Sequence, residues 1–506
     1  MIDGVIMKNF NDKISAETIL RCCSSGQKGD AELFVAINKN RFIYDHSARR
    51  WYIFGKHYWE RDKTNHALDA VCKVADLYDS EADRYKKLIN ETDEEKAGYL
   101  KNVRKEFLKK LKQIRNKRWK EDVLVLAASG ENGLGITGDE WDQEPFLLAA
   151  ANGIIDITTG KLILGRPDLY IKTATPIQYV ENAQEPENFI NFLNEVFARD
   201  QEIIKYVHRL LGYSLLGKVR EHIFIILVGE GRNGKGTLLE TIKYVLGPYA
   251  GAVKSSLLLA QDKSKSSSSP NPDILDLRGK RFVWAAETNK DKKIDPGMVK
   301  WLTGGDTLVG RHVYGRDEVR FDPSHTLFLM TNHKPKIPYS ESDLALWERM
   351  QVLTFTESFI DEPREKNHHK VDKDLPEKLK KEDEGILAWL VRGYLAYQRE
   401  GLNPPQKIKD AVNDYRKEED VLPRFISECC VVDTNARVGA EELYILYCEW
   451  STCSDCVAMS QTKFGEIMNK MNFDKIRSNG IRYLGIRLRN ENDIRPSTST
   501  PCIAEK

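Results

Sequence analysis

The sequence lacks any hydrophobic run long enough to span a membrane. Its longest apolar segments, such as Phe146–Ala151 and Ile223–Val228, extend for six residues, whereas a membrane helix needs roughly 20. The N-terminal residues also do not match a signal peptide, because Asp3 and Asn9 interrupt the region where its apolar core would lie. These absences exclude membrane-spanning classes, so we expect a cytoplasmic protein with no membrane partner.

The chain also lacks a large net charge of either sign. Its 77 Lys and Arg residues balance 76 Asp and Glu residues, which leaves a formal charge of +1. No global basic field therefore marks a nucleic-acid binder. DNA binding remains compatible with this balance, because a ring can concentrate basic side chains in its channel while acidic residues cover the outside.

Cysteine is too scarce and too irregularly spaced for a disulfide framework. Four of the nine cysteines form two adjacent pairs, Cys22–Cys23 and Cys429–Cys430, which indicates reduced thiols in a cytosolic compartment. Cys448, Cys453 and Cys456 leave two interpretations open, a structural zinc site or ordinary half-buried thiols. No second ligand pair or nearby histidine supports zinc.

At 506 residues the chain exceeds what one hydrophobic core usually serves, so we expect several domains. Near the N-terminus, Leu33–Ile37 and Arg50–Phe54 have the composition of strands. From Arg220 to Phe359, apolar strands alternate with helices, which predicts an α/β unit with a largely parallel sheet. Residues Val421–Asn490 predict three helices followed by two short strands, an order typical of a winged helix.

A helical, charged segment runs from about Ala67 to Lys120, and its second half is dense in lysine and arginine. Two interpretations stay open for this segment. It is either a solvated helix face or a surface that contacts DNA or a partner protein.

The strongest local signal is a glycine-rich loop between a buried strand and a helix. The strand Ile223–Val228 leads into Gly229, Gly231, Asn233, Gly234 and Lys235, and a helix is expected from Leu238. The glycines let backbone N–H groups surround a phosphate, the lysine reaches its outer oxygens, and the helix adds its positive end. This order predicts a site for ATP.

The loop departs from the usual pattern at one position. The Ser or Thr that normally follows the lysine and binds Mg²⁺ is Gly236 here, and Thr237 comes one residue later. Either Thr237 supplies the oxygen through a shifted backbone, or Mg²⁺ keeps an additional water molecule.

Two further strands end in polar residues suited to phosphate chemistry. The strand Arg281–Ala286 is followed by Glu287, a candidate to hold Mg²⁺ or to polarise the attacking water. The strand Thr326–Met330 is followed by Thr331 and Asn332, whose neutral amide is a candidate sensor of the γ-phosphate.

Together these motifs resemble the core of a superfamily 3 helicase, of the phage and plasmid primase–helicase family related to the poxvirus primase-helicase. The resemblance extends well beyond the three strands. It is carried by Trp51, Trp59, Ala151–Asp156, Thr159–Gly160, Leu211–Tyr213, Gly279–Phe282, Lys300–Asp306, Gly385–Trp389 and the C-terminal segment.

The resemblance implies an α/β fold class: an AAA+-like P-loop ATPase core with an N-terminal α+β helicase-associated domain and a C-terminal winged-helix domain. The implied boundaries are 1–185 for the N-terminal domain, 186–365 for the core, 366–420 for a helical connector, 421–490 for the winged helix and 491–506 for a disordered tail. Lysines and arginines concentrate in the C-terminal domain, which leaves duplex DNA or a partner protein as its ligand.

The resemblance also implies roles in DNA contact and subunit cooperation. The motif at Lys300–Asp306 leads into a hairpin, Val309–Phe321, that would point into a ring channel. Lys300, Arg311, His312 and Arg316 are its candidate contacts to single-stranded and forked DNA. Arg349 would be the finger that reaches a neighbouring subunit's γ-phosphate, and the ring would be a homo-hexamer moving 3′→5′.

No room precedes the helicase-associated region for a polymerising domain, so we expect a helicase whose primase or initiator is encoded separately. Two rival functions remain. One is an origin-binding initiator that melts DNA without processive unwinding. The other is a phosphotransferase or metabolic ATPase unrelated to DNA.

Overall fold

The computed structural model describes residues 14–260, 271–287, 292–311, 313, 318–337, 344–419, 421–454, 458–477, 480–490 and 493. His312, Arg316 and nearly all of the predicted tail lie outside these residues. No described helix is both long enough and apolar enough to cross a membrane.

The N-terminal part combines a helical layer with a small sheet. Its elements are α1 (Ala16–Ser24), α2 (Gly26–Asn38), β1 (Phe42–Asp45), β2 (Arg50–Phe54), β3 (Trp59–Arg61), α3 (His66–Ala70), α4 (Cys72–Asn90), α5 (Glu94–Ile114), α6 (Lys117–Ala127) and β4 (Gly135–Ile136). The strands lie in the order β3-β2-β1-β4. The predicted strand Arg50–Phe54 is confirmed.

The predicted strand Leu33–Ile37 is wrong, because these residues lie in the middle of α2. Asp30, Leu33, Phe34 and Asn38 are buried, whereas Ala36 is exposed. Their spacing is that of one helix face. An apolar run of this length does not distinguish a strand from a buried helix, and packing against neighbouring helices decides the outcome.

A buried carboxylate joins the helices of this layer. Asp30 of α2 accepts hydrogen bonds from the Tyr78 hydroxyl at 2.6 Å, Lys110 Nζ at 2.9 Å and Trp119 Nε1 at 2.8 Å. Both members of the Asp30–Lys110 ion pair are buried. Because Lys110 points inward, the ion pair fixes the rotation of α5 about its axis.

A three-stranded antiparallel meander and two helices lead into the central sheet. These elements are β5 (Leu147–Ala150), β6 (Gly153–Asp156), β7 (Lys161–Ile163), α7 (Glu187–Val196) and α8 (Gln201–Tyr213). Their apolar faces share one hydrophobic core with the central sheet and with residues as far along the chain as Ile408.

The central sheet has five parallel strands, which confirms the predicted α/β unit. Its elements and their connections are β8 (Phe224–Val228), α9 (Lys235–Leu246), β9 (Ala250–Val253), α10 (Pro272–Leu275), β10 (Phe282–Glu287), α11 (Pro296–Thr303), β11 (Leu308–Gly310), β12 (Val319–Phe321), β13 (Thr326–Thr331), α12 (Leu344–Arg349) and β14 (Met350–Thr354). The sheet order is β14-β8-β13-β10-β9. The strands β8, β13 and β10 are almost entirely buried, as expected when both faces of a parallel sheet are covered.

The predicted hairpin is present as an antiparallel pair of short strands. Leu308 pairs with Phe321, Val309 with Arg320 and Gly310 with Val319. Most of the turn that joins β11 to β12 lies outside the described residues, including two of the four candidate DNA contacts.

The remaining chain is mainly helical and ends in a small sheet. Its elements are β15 (Ser358–Ile360), β16 (His368–Lys370), α13 (Leu375–Lys380), α14 (Asp383–Glu400), α15 (Gln406–Glu419), α16 (Val421–Cys429), β17 (Cys430–Gly439), α17 (Ala440–Cys453), α18 (Gln461–Lys470), β18 (Lys475–Arg477) and β19 (Ile481–Leu488). The last sheet has the order β17-β19-β18. The predicted third helix and final two strands are confirmed, and β17 is a strand that the sequence did not predict. The winged-helix assignment itself stays a prediction.

Candidate active site

The glycine-rich loop lies at the carboxyl end of β8, the second strand of the sheet. The helix α9 begins at Lys235, and no side chain caps its N-terminus. The first N–H groups of a helix have no partner within the helix, so they are available to an anion. Arg232 and Gly234 adopt left-handed backbone angles, with φ of 62° and 85°, and these angles turn the chain from strand into helix.

The glycines of the loop serve two different purposes. A Cβ on Gly229 would lie 2.2 Å from Asn233 Nδ2 and 2.4 Å from the Phe355 carbonyl oxygen, so this glycine is required by the loop's own packing. A Cβ on Gly231 or Gly236 would meet no atom within 4 Å. The loop therefore keeps open space along its outer side, which suits a phosphate chain.

Lys235 is buried within the loop. Its Nζ donates hydrogen bonds to Asn233 Oδ1 at 3.0 Å, to the Glu230 carbonyl oxygen at 3.4 Å and to the Gly229 carbonyl oxygen. Burial lowers the pKa of Lys235 to about 8. Since these three acceptors are neutral, a phosphate would supply the negative charge that the ammonium group lacks here.

The carboxyl edge of the sheet brings the predicted loop, carboxylate and amide together. Thr331 at the end of β13 is in register with Val228 on one side and with Glu287 on the other. Neighbouring strands are about 4.8 Å apart, so the ends of β8 and β10 are separated by roughly 10 Å. Asn332 follows Thr331 between them and is half-buried, whereas Glu287 is almost fully buried. This spacing can accommodate a terminal phosphate between Lys235 and Glu287.

Arg349 lies at the opposite edge of the sheet. It is the last residue of α12, and the next residue, Met350, is in register with Phe224 at the start of β8. Five strand residues separate the two edges, a distance of roughly 16 Å. Arg349 Nη1 donates to the Ala345 carbonyl oxygen at 2.7 Å, and the buried Nε has no hydrogen-bond partner among the described residues. Within one chain, Arg349 is therefore not part of the site.

The residues after the lysine follow a regular helix. Leu238 N donates to the Gly234 carbonyl oxygen at 3.0 Å, so no shifted backbone occurs at the start of α9. Successive helical side chains are about 100° apart, so Thr237 does not point where a side chain at position 236 would. This geometry favours the alternative in which Mg²⁺ keeps an additional water molecule. The assignment of Thr237 and Glu287 as metal ligands stays a prediction.

The described candidates for DNA contact lie on either side of the hairpin's first strand. Lys300 is in α11 and Arg311 follows β11, and both are half-buried. Among the described residues, no cluster of three or more His, Cys, Asp or Glu side chains could hold a metal ion. Cys448 and Cys453 belong to these residues, whereas Cys456 does not.

One part of the site was missed by the sequence analysis. After β14, the chain folds back over the loop: Phe359 N donates to the Arg232 carbonyl oxygen at 2.7 Å. Beside it, His369 Nε2 lies 2.6 Å from a carboxylate oxygen of the buried Glu357. Twelve residues separate this His–Glu pair in the sequence, and no local pattern indicates that they meet.

Three family models match separate parts of the chain. Residues 31–198 match a model described as D5 N terminal like, and residues 417–486 match one described as Poxvirus D5 protein-like. Between them, residues 227–349, which contain the loop and the carboxyl edge, match a family of unknown function (DUF5906).

Several proteins of large DNA viruses are similar to this chain. "Putative helicase L207/L206" of Acanthamoeba polyphaga mimivirus is 30% identical over 82% of this chain and 44% of that protein. "Putative helicase 022R" of Frog virus 3 is 24% identical over 63% of this chain and 40% of that protein. "Putative primase C962R" of African swine fever virus (strain Badajoz 1971 Vero-adapted) is 24% identical over 61% of this chain and 33% of that protein.

The chain spans less than half the length of these relatives. The matches therefore do not support the expectation of a separately encoded primase, which stays a prediction.

Among solved structures, the apo C terminal region of NrS-1 (305-718) aligns with 88% of this chain and 96% of its own length, with 13% identity and a TM-score of 0.45. The sequence comparisons alone show that most of the chain is similar to viral proteins named putative helicase or putative primase.

Proposed function

We propose that the chain is an ATP-dependent replicative DNA helicase of a large DNA virus or another mobile genetic element. It acts as a ring of six subunits on single-stranded and forked DNA and moves 3′→5′. The observation that carries the proposal is the carboxyl edge of the sheet, where the loop that leads to Lys235 lies beside the strand ends that carry Glu287 and Asn332. The names of the viral relatives support DNA replication as the process.

Each residue at this edge has a separate role in hydrolysis. The N–H groups at the start of α9 and the Lys235 ammonium hold the phosphates of ATP. Glu287 orients the attacking water and accepts its proton, and Asn332 contacts the γ-phosphate without adding charge. Glu287, together with Thr237 or a water molecule in its place, would hold Mg²⁺, and the metal would neutralise negative charge on the phosphates.

The position of Arg349 supports a shared site. Because this side chain lies at the edge of the sheet that is remote from its own loop, it reaches a γ-phosphate only when it belongs to a neighbouring subunit. An arginine supplied in this way can accelerate hydrolysis by roughly 10³-fold or more. Hydrolysis then depends on assembly, as a ring motor requires.

Strand displacement on a forked duplex tests the proposal. The wild-type protein should release the displaced strand when ATP is present, and Lys235→Ala should not. DNA binding and thermal melting of Lys235→Ala serve as controls for folding. Stable melting of the fork without continued displacement would favour an origin-binding initiator instead, and ATP turnover indifferent to single-stranded DNA would favour an ATPase unrelated to DNA.

Glu287→Gln separates binding from chemistry. The amide preserves the shape of the side chain but cannot accept a proton, so hydrolysis should fall by roughly 10²-fold or more. ATP binding should remain, as measured by titration with a fluorescent ATP analogue. Full turnover in purified Glu287→Gln would remove the catalytic assignment.

A further inference from the structure

A strongly basic segment lies far before the glycine-rich loop in the sequence. Residues 101–120 contain ten lysines and arginines and one acidic residue, Glu106, whereas the rest of the chain contains 67 basic and 75 acidic residues. The near-neutral total therefore conceals one strongly basic segment. This segment comprises most of α5 and the start of α6.

Because Lys110 points inward, the opposite face of α5 points to solvent. Lys101, Lys105 and Lys112 lie on this face, Arg115 follows at the C-cap, and all four are exposed. At 100° per residue they fall within about 80° of the helix circumference, and they extend over roughly 21 Å along its axis. These four residues form what we call the basic stripe.

The four side chains of the basic stripe form no ion pair within the described part of the chain. Two neighbouring lysines do have acidic partners: Lys109 lies 3.7 Å from Glu106, and Lys117 lies 3.5 Å from Glu121. Like charges four residues apart destabilise a helix slightly. Lys101 and Lys105 therefore repel each other, and an external anion would relieve this repulsion.

The composition of the stripe selects among anionic partners. The stripe does not suit a protein partner, because the centre of a protein interface is usually depleted in charge. The only large apolar side chain along the stripe is Leu108, which is 37% exposed. Single-stranded nucleic acid is usually held by aromatic side chains that stack on its bases, and the stripe contains none. A straight row of flexible cations suits a regular row of phosphates.

We propose that the basic stripe binds the phosphate backbone of duplex DNA without regard to sequence. The proposal goes beyond the ATPase site, because none of the four residues lies near the loop in sequence or belongs to the central sheet. In a helicase, this surface would hold the unopened duplex beside the ring.

Two matched quadruple variants test the proposal. K101Q/K105Q/K112Q/R115Q neutralises the stripe. K39Q/K161Q/K205Q/K409Q removes the same charge from exposed lysines that are scattered over the chain. The affinity of each full-length variant for a short fluorescent duplex is measured over a series of salt concentrations.

We expect the stripe variant to bind duplex DNA roughly tenfold more weakly or worse, and the scattered variant to bind nearly as the wild type does. Each lost phosphate contact reduces the slope of log affinity against log salt by about 0.9, so the slope should fall by about 3–4. The stripe variant should melt close to the wild type, because the like-charge repulsion that it removes is offset by the favourable interaction of Lys112 and Arg115 with the C-terminal end of α5.

Three results would overturn the proposal: unchanged duplex binding, an equal loss in both variants, or a loss confined to single-stranded DNA. Single substitutions give a second measure, since each should reduce the slope by about 0.9. DNA-independent ATP turnover should be the same in both quadruple variants. Failure of the proposed helicase activity is therefore distinguishable from failure of this surface.

Discussion

At the scale of single residues, we expect Lys235 to make ATP binding depend on pH. Burial lowers the pKa of Lys235 to about 8 in the free protein, and a bound phosphate favours the protonated form. ATP affinity should therefore be constant well below pH 8 and fall by roughly tenfold per pH unit above it. Calorimetry in two buffers of different ionisation enthalpy should detect proton uptake near pH 8.

Lys235→Arg provides the control for this prediction. The guanidinium stays charged throughout this range, so any binding that this variant retains should proceed without proton uptake. Proton uptake of equal size in both proteins would assign the titration to another group.

Gly236 offers a second test at this scale. A Cβ there meets no atom within 4 Å, so Gly236→Ser adds a hydroxyl where related loops carry a Mg²⁺ ligand. We expect half-maximal ATP turnover at a several-fold lower Mg²⁺ concentration. Gly236→Ala adds the Cβ without the oxygen and should leave the Mg²⁺ requirement unchanged. Identical behaviour of the two variants would show that position 236 is not adjacent to the metal.

At the scale of elements, the close crossing of α8 and α14 depends on two glycines. A Cβ on Gly212 would lie 2.1 Å from the Tyr394 backbone nitrogen, and one on Gly393 would lie 2.3 Å from the His208 carbonyl oxygen. Both contacts are with backbone, which cannot move aside without separating the helices. Gly212→Ala should therefore destabilise the protein by about 1–3 kcal/mol, measured as a lower melting temperature.

Gly98→Ala in α5 is the matched control for Gly212→Ala. A Cβ there meets nothing within 4 Å, and alanine is the better helix former, so stability should stay the same or rise by about 0.5–1 kcal/mol. Equal destabilisation by both substitutions would mean that helix crossing is not the cause.

The same scale separates elements that the sequence predicts from those it does not. The strands β8, β10 and β13 were predictable because each is a short apolar run that ends beside a polar or glycine-rich segment. The strand β17 was not, because its middle residues are exposed and its pairing partner, β19, lies more than forty residues later. Non-local pairing leaves little trace in a local pattern.

At the scale of the whole molecule, we expect Arg349 to complete the ATP site of a neighbouring subunit. Arg349→Ala and Lys235→Ala should each be inactive alone. In a random one-to-one mixture, about a quarter of the interfaces combine an intact Lys235 with an intact Arg349 from the neighbour, so ATP turnover should partly return. Turnover is measured after the two proteins have exchanged subunits.

A second mixture provides the control. Adding Arg349→Ala to a variant that carries both substitutions should restore nothing, because the double variant contributes no arginine. A mixture of the two single variants that stays inactive, although mixed rings form, would contradict a finger supplied by the neighbouring subunit.

The sequence by itself determined the local chemistry of this protein. The glycine-rich loop, Glu287 and Asn332 each follow an apolar strand, and parallel strands align their carboxyl ends, so the shared edge follows from chain direction alone. Only the tertiary structure decided the placement of Arg349 at the opposite edge, the meeting of Glu357 with His369, and the outward turn of the basic stripe. Each of these depends on contacts between segments distant in sequence, such as the Asp30–Lys110 ion pair, and no periodicity encodes such contacts.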